Sequence, residues 1–298
     1  MSESKLVLVI GGTGMLGEPV VHCLQADGYR VRVLTRNPDK ARAIFGDGVE
    51  AIKGDVEDAN SLDTALRGCV GVHINLYGGF DADLERRGTT NVAQAACRAN
   101  VMRLTYLSGA SVFAENCWYA GTRARFEAEA AIRASGVPYT IFKATHFMEP
   151  LHRFVRGKHA LLIGKPPFAW HRLAAEDYAR MVAKAYATPA ADKSLFVYGP
   201  QALMMRDALH IFCRTGHPDA RLMFFTYCIA ARHEAHDDLA QRAGLRSRPA
   251  LDYRQWLVGK PERLSHTGSF GFSRAMAHLR RDAEPRRCRE AIATVPNP

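Results

Sequence analysis

Residues 6–17 read LVLVIGGTGMLG, an apolar run that passes through a glycine turn into the start of a helix. Leu6-Val7-Leu8-Val9-Ile10 is continuous, aliphatic and partly β-branched, the composition of a parallel strand covered on both faces. Behind it, Val20, Val21, Cys23 and Leu24 recur at helical spacing before Asp27-Gly28 ends the segment. In such a strand–turn–helix unit Gly11 lets the chain leave the strand sharply, Gly14 lets backbone N–H groups approach an anion, and Gly17 lets the helix lie close to the sheet. The helix N-terminus favours negative charge, so the loop, with Thr13, Met15 and Leu16 between its glycines, suits the pyrophosphate of a dinucleotide.

The end of the next apolar segment, Arg30 to Leu34, narrows the choice of dinucleotide. Where a strand tip binds the 2′-hydroxyl of an adenosine ribose it carries a carboxylate, and here the chain reads Thr35-Arg36-Asn37-Pro38-Asp39-Lys40. Arg36 and Lys40 suit a 2′-phosphate, while Asp39, beyond Pro38, reads as part of the next helix. NADP(H) is the expected cofactor. The alternative is that both cations are ordinary solvated side chains.

Strand and helix continue to alternate. Strands are predicted at Val49–Lys53, Cys69–Asn75, Arg103–Ser108 and Tyr139–Lys143, and helices at Ala59–Leu66, Asp81–Asn100 and Arg123–Ser135. The order predicts an α/β fold, a right-handed, doubly wound parallel Rossmann sheet over residues 1–150. A small C-terminal α+β substrate lobe is expected over 151–277, interleaved with the first domain, with strands at His159–Ile163 and Ser194–Tyr198 and helices at Glu176–Ala187 and Arg206–Arg214. Residues 278–298, with RR, EPRRCRE and PNP and little apolar periodicity, read as a mobile or docking tail. Ligands of such a sheet bind outside the C-terminal ends of its strands. Asp55 and Val56 are therefore expected beside the adenine, Asn75, Leu76 and Tyr77 beside the ribose and pyrophosphate, and Ser108 on the nicotinamide side.

Composition sets the remaining bounds. The 298 residues are 47% hydrophobic, enough for a sizeable core, and no apolar run reaches the roughly 18 to 20 residues of a membrane span. Met1-Ser2-Glu3-Ser4-Lys5 leads directly into a strand, and a soluble, cytoplasmic protein is expected. Seven cysteines without a CxxC pair read as reduced thiols. No metal is expected: His233 and His236 in RHEAHDD lack the i, i+4 spacing of a zinc helix and a third ligand. The net charge of +10 is unevenly placed, with 16 Lys and Arg against 17 Asp and Glu in residues 1–150, and 24 against 13 in residues 151–298. An acidic small-molecule substrate or an anionic partner fits that excess as well as a plain basic surface does. Nucleic acid is disfavoured, because no recognition motif is present and aromatic residues are not interleaved with the basic ones.

The stretches GGTGMLG (11–17), LTRNPDKA (34–41), KGDVED (53–58), YLSGASV (106–112), EAEAAIRASGVPYTIFKATHFME (127–149), LLIGKPP (161–167) and LAAEDYARMVAKAYATP (173–189) resemble the atypical short-chain dehydrogenase/reductases, and most closely the NmrA-like NAD(P)-binding family. The resemblance covers about the first 215 residues. It implies an extended Rossmann domain with a small substrate lobe, in a family that holds both reductases and proteins that bind the cofactor without turning it over. A typical short-chain reductase donates a proton from the tyrosine of Y-x-x-x-K, with a serine on the preceding strand orienting the substrate carbonyl. Ser108 fits the serine. If EAE at 127–129 sets the register, the lysine position falls at Arg125 and the tyrosine position at Gly121; a competing register pairs Tyr119 with Arg123. An arginine can hold cofactor hydroxyls but releases no proton. Beyond the sixth strand, Thr145, His146, Phe147 and Met148 offer an apolar wall with a polar handle, and His146 is a candidate proton donor.

Two function classes follow. One is an NADPH-dependent oxidoreductase acting on a small carbonyl, enone or quinone-like compound, acidic or aromatic, with Ser108, Tyr119 and His146 as catalytic candidates. The other is a catalytically inactive NADP(H)-binding regulator or assembly protein with a protein partner.

Overall fold

The computed structural model describes residues 5–79, 81–156, 159–163, 168–189, 192–216, 221–225 and 292–294. In chain order the elements are β1 (Leu6–Ile10), α1 (Gly17–Ala26), β2 (Arg30–Thr35), α2 (Pro38–Phe45), β3 (Glu50–Lys53), α3 (Ala59–Leu66), β4 (Gly71–Ile74), α4 (Ala82–Arg98), β5 (Arg103–Gly109), α5 (Ala120–Ala134) and β6 (Tyr139–Ala144). They continue with β7 (Val155–Arg156), β8 (His159–Ile163), β9 (Ala169–His171), α6 (Ala175–Ala187), β10 (Lys193–Val197), β11 (Ala202–Met204), α7 (Met205–Gly216), β12 (Arg221–Phe225) and β13 (Ile292–Thr294).

The chain folds into two compact units, the first holding residues up to Ala144, Ala175–Val197 and β13. Its sheet runs β3-β2-β1-β4-β5-β6-β10, all parallel, and β13 joins β10 antiparallel at the edge. Strand order reverses between β1 and β4, the crevice where doubly wound sheets bind ligands. Ile10 pairs in register with both Leu34 and Ile74, so the C-terminal ends of β2, β1 and β4 finish level. Val7, Leu8 and Val9 are fully buried, each stabilising the fold by about 1.5–3 kcal/mol relative to exposure. Helices α1 and α6 pack together, and α4 packs with α3 and α5.

Buried polar groups interrupt this apolar sheet, among them the fully buried His73. His73 of β4 has Nδ1 2.9 Å from the Thr105 hydroxyl, which lies 3.0 Å from the Tyr186 phenol. Burial pushes the His73 pKa down to about 3, so the imidazole is neutral.

The second unit comprises Thr145–Ala174 and Tyr198–Ala291. Here β8 pairs antiparallel with β7 and parallel with β12, and β9 pairs with β11. Met148, Leu151, Leu162, Leu209 and Phe212 form its core.

Element positions depart from expectation in three places. Helix α5 begins at Ala120 instead of Arg123, because its first turn, Ala-Gly-Thr, carries no apolar periodicity for the sequence to reveal. Helix α6 and strand β10, expected in the substrate lobe, belong to the first unit: Tyr178, Ala179, Val182 and Ala183 are buried along α6, and β10 extends the sheet beside β6. Within the tail, Ile292–Thr294 is a strand of the first sheet; the remainder of 278–298, and His233 and His236, lie outside the described residues.

Candidate functional site

The turn after β1 is built by steric necessity. Gly11 has φ +76°, and a β-carbon on it would stand 2.1 Å from the Asn75 carbonyl oxygen. A β-carbon on Gly17 would stand 2.1 Å from the Gly11 carbonyl oxygen, so the start of α1 rests directly on the turn. Gly14 donates its N–H to Gly11 O at 3.0 Å, and its own carbonyl accepts from Gly17 and Glu18 at 3.1 and 2.9 Å. Yet Gly14 is exposed, and a β-carbon there would meet only Gly11 O, at 3.2 Å. Its bare backbone faces outward, where it admits close approach by a ligand. The backbone N–H groups of Thr13, Met15 and Leu16 have no protein acceptor among the described residues. Unsatisfied donors around an exposed glycine at a helix N-terminus fit a pyrophosphate.

The adenosine end takes shape at the tips of β2 and β3. Asn37 Oδ1 accepts the Lys40 N–H at 3.1 Å and caps α2, which starts at Pro38. Asp39 is held by Arg42 at 2.8 Å, as befits an acid in a first helical turn. Arg36 is exposed, and its guanidinium has no partner among the described residues. Asp55 folds its carboxylate onto the Glu57 N–H at 3.0 Å. Val56 and Leu76 lie against Gly88 of α4, where a β-carbon would stand 2.7 and 2.9 Å from their methyl groups. Asn75 continues the ladder to Ile10 O at 3.1 Å, and Tyr77 is exposed. The predicted cofactor residues of the loop, β2, β3 and β4 thus share one sheet edge.

The other end, at β5 and α5, is made of ion pairs. Arg125 donates Nε–H to Glu85 Oε1 at 2.9 Å, and the Tyr106 hydroxyl donates to the same oxygen at 3.2 Å. Glu85 is buried in α4, and Tyr106 is fully buried; burial first, then the charge of Glu85, raises the Tyr106 phenol well above its usual range and keeps it protonated. Arg125 Nη1 lies 3.8 Å from where a β-carbon on Gly109 would stand, which sets the guanidinium beside the end of β5. Ser108 is only 4% exposed and donates its hydroxyl to Glu129 Oε1 at 2.5 Å. Glu129 also pairs with Arg133 at 2.8 Å and Lys143 at 3.3 Å. The Lys143 ammonium donates to Val112 O at 2.8 Å and lies 4.7 Å from the Phe113 ring centroid. Burial pulls the Lys143 pKa down while Glu129 pulls it up, and burial wins. Ser108, expected to orient a substrate carbonyl, has its proton directed at Glu129.

Tyr119 precedes α5 and is 60% exposed. Arg123 donates Nε–H to Cys117 O at 3.0 Å, so the Tyr119–Arg123 register gives the arginine a backbone acceptor. His146 lies in the second unit, exposed and edge-on to Trp170 with ring centroids 4.4 Å apart. Met148, expected in a ligand wall, is part of that unit's core.

Sequence reasoning missed Glu85, Glu129 and Lys143. Acids on a helix read as a solvated face, and only the neighbouring strands reveal that these two are buried. Lys143 carried a usable signal, since a lysine inside the apolar strand YTIFKA calls for a buried partner. Among the described residues no group of His, Cys, Asp and Glu is placed to hold a metal ion, and no helix is long and apolar enough to cross a membrane.

A glycine turn at the switch point of a 3-2-1-4-5-6 parallel sheet defines a dinucleotide-binding Rossmann protein. The chain belongs to the NAD(P)H-binding family, whose sequence profile matches residues 11–189. It is 32% identical over 206 residues to a (4-alkanoyl-5-oxo-2,5-dihydrofuran-3-yl)methyl phosphate reductase of Streptomyces griseus, covering 68% of this chain and 71% of the relative. It is 31% identical over 151 residues to the photosystem II assembly factor Ycf39 of Trieres chinensis, covering 49% of this chain and 47% of that protein. Among solved structures it resembles the NADPH-dependent quinone oxidoreductase QOR2 of Escherichia coli complexed with NADPH, with TM-score 0.62, 20% identity, and 80% and 83% of the two chains covered.

Proposed function

We propose that the protein is an NADPH-dependent reductase of a small conjugated carbonyl compound, an enone or quinone-like acceptor bearing an anionic group. The observation that carries this reading is the 32% identity, over two thirds of the chain, with a reductase whose named substrate is an unsaturated lactone phosphate. The excess of Lys and Arg in residues 151–298 supports an acidic substrate. Preference for NADPH is supported by Arg36 at the tip of β2 and Lys40 in the first turn of α2, with Asp39 engaged by Arg42. Bound NADPH supplies a hydride, and the acceptor takes up that hydride and one proton. The loop N–H groups hold the pyrophosphate, Arg36 and Lys40 the 2′-phosphate, and Arg125 the nicotinamide-side hydroxyls. Tyr119 and His146 are the candidate proton donors, and solvent can serve a conjugated acceptor as well. Free thiols at Cys23, Cys69, Cys97, Cys117 and Cys213 accord with a reducing, cytoplasmic setting.

A second reading, an NADP(H)-binding regulator or assembly protein with a protein partner, is favoured by the departure from Y-x-x-x-K, the engagement of Ser108 with Glu129 and the match to Ycf39. Titration with NADPH and NADH, followed by stopped-flow NADPH oxidation with butenolide phosphates, naphthoquinones and aldehydes, separates the two. Tighter NADPH binding with turnover supports the reductase. Tight binding with no oxidation by any acceptor overturns it in favour of the second reading.

A further inference from the structure

The register that places a cation at Arg125 leaves glycine, at 121, where the proton donor of a short-chain reductase would stand. The structure covers that gap with a different side chain. A β-carbon on Gly121 would stand 3.0 Å from Cε1 of Tyr119 and 3.7 Å from its Cδ1 and Cζ, so the ring of Tyr119 lies over residue 121. Tyr119 has extended backbone, φ −88° and ψ 123°, and sits immediately before the helix, from where its ring folds forward onto the first turn. Residues 121 and 125 are one turn apart on the same helix face, so the phenol is carried toward Arg125. Arg125 is fixed through Nε by the buried Glu85, and its Nη groups have no protein acceptor among the described residues. Arg123, by contrast, is turned to Cys117 O.

We propose that Tyr119 and Arg125 form the reacting unit of this site, with the tyrosine two residues upstream of the usual position and Gly121 acting as the positioning residue that makes room for its ring. The Tyr119 O–H bond breaks as a new O–H bond forms on the acceptor's oxygen. The phenolate left behind is balanced by Arg125, which keeps its own protons, and is reprotonated from solvent at this exposed position. The proposal rests on the reductase reading for its chemistry, but the ring–guanidinium pairing stands apart from it.

The test uses the full chain. Gly121→Ala is the informative variant, because alanine favours the helix yet its β-carbon displaces the ring. Its melting temperature is expected to hold or rise while kcat falls roughly tenfold, with NADPH affinity changed by less than about threefold. Tyr119→Phe should lower kcat by roughly a hundredfold with the same retention of NADPH affinity. Without cofactor, the Tyr119 ring resonances, identified by their loss in Tyr119→Phe, should shift in Gly121→Ala and Arg125→Met and stay in place in Arg123→Met. Full kcat in Tyr119→Phe, or resonances that respond to Arg123→Met and not to Arg125→Met, would overturn the proposal. Wild-type protein that fails to oxidise NADPH with any of the acceptors would instead sink the reductase reading and with it the proton step, leaving the pairing to be judged on the resonances.

Discussion

The two ends of the candidate dinucleotide site are built by opposite means. At the β1 turn the chain uses backbone and missing β-carbons: Gly11 and Gly17 are held against carbonyl oxygens, and Gly14 lies open beside N–H groups that have no protein acceptor among the described residues. At the β5–α5 end it uses long charged side chains, Glu85 with Arg125 and Glu129 with Ser108, Arg133 and Lys143, most of them buried. A turn made of excluded volume tolerates one residue type. A cluster of ion pairs tolerates exchange of its members, provided that charge and hydrogen bonds still balance.

If this contrast holds, Gly11→Val has the largest effect. Its β-carbon would collide with the Asn75 carbonyl, and φ +76° disfavours any branched residue. NADPH affinity is expected to fall by more than about a hundredfold, or the domain to lose its melting transition altogether; calorimetric titration beside a thermal melt distinguishes these outcomes. Retention of wild-type binding would break the comparison at its firmer end.

Strand β4 supports both ends and carries His73. Its folded pKa, about 3, lies below the unfolded value near 6.5, so the unfolded chain binds the extra proton. The contribution to stability is complete above about pH 6.5 and is lost as the pH falls toward 3, a loss of several kcal/mol. Urea titrations from pH 7.5 to 4 should show this slope in the wild type and a flatter one in His73→Asn, whose amide does not titrate. Equal slopes would mean that carboxylates alone govern acid unfolding.

What the sequence could disclose follows the same division. LVLVIGGTGMLG places strand, turn and helix within twelve consecutive residues, and each steric demand there is local, so the spacing carries the information. The place of Asp39 in the first turn of α2 was equally legible, because it follows from Pro38 beside it. The α5 end was not. Glu85 meets Arg125 across forty positions of sequence and Glu129 meets Ser108 across twenty-one, so only the packing of α4 and α5 on β5 brings them together. The fold of Tyr119 over Gly121 is local but left no pattern, since an aromatic before a helix usually packs and Gly-Thr in a first turn looks like a loop. Helix α6 escaped its correct unit for a related reason: an amphipathic stripe states that one face is covered without stating by what.

A smaller effect is expected at the β2 tip. Arg36→Ala removes one of two cations offered to a 2′-phosphate, and NADPH affinity should fall roughly ten- to thirtyfold while NADH affinity stays within about twofold. An equal loss for both cofactors would mean that Arg36 supports the loop instead of reading the phosphate, and would move cofactor choice to Lys40 or beyond the tip.

The smallest change is expected where the sequence expected one of the largest. A serine that orients a substrate carbonyl normally carries a sizeable share of kcat, but the Ser108 hydroxyl is buried and donates to a carboxylate that already neutralises Arg133 and Lys143. Removing it leaves Glu129 with both cations, so Ser108→Ala should lower stability by about 1 kcal/mol and kcat by less than about threefold. Those two numbers must be read together. A stable variant with kcat reduced a hundredfold would mean that the hydroxyl turns from Glu129 to the acceptor during turnover, and the α5 end would then work by exchanging partners within its ion-pair cluster.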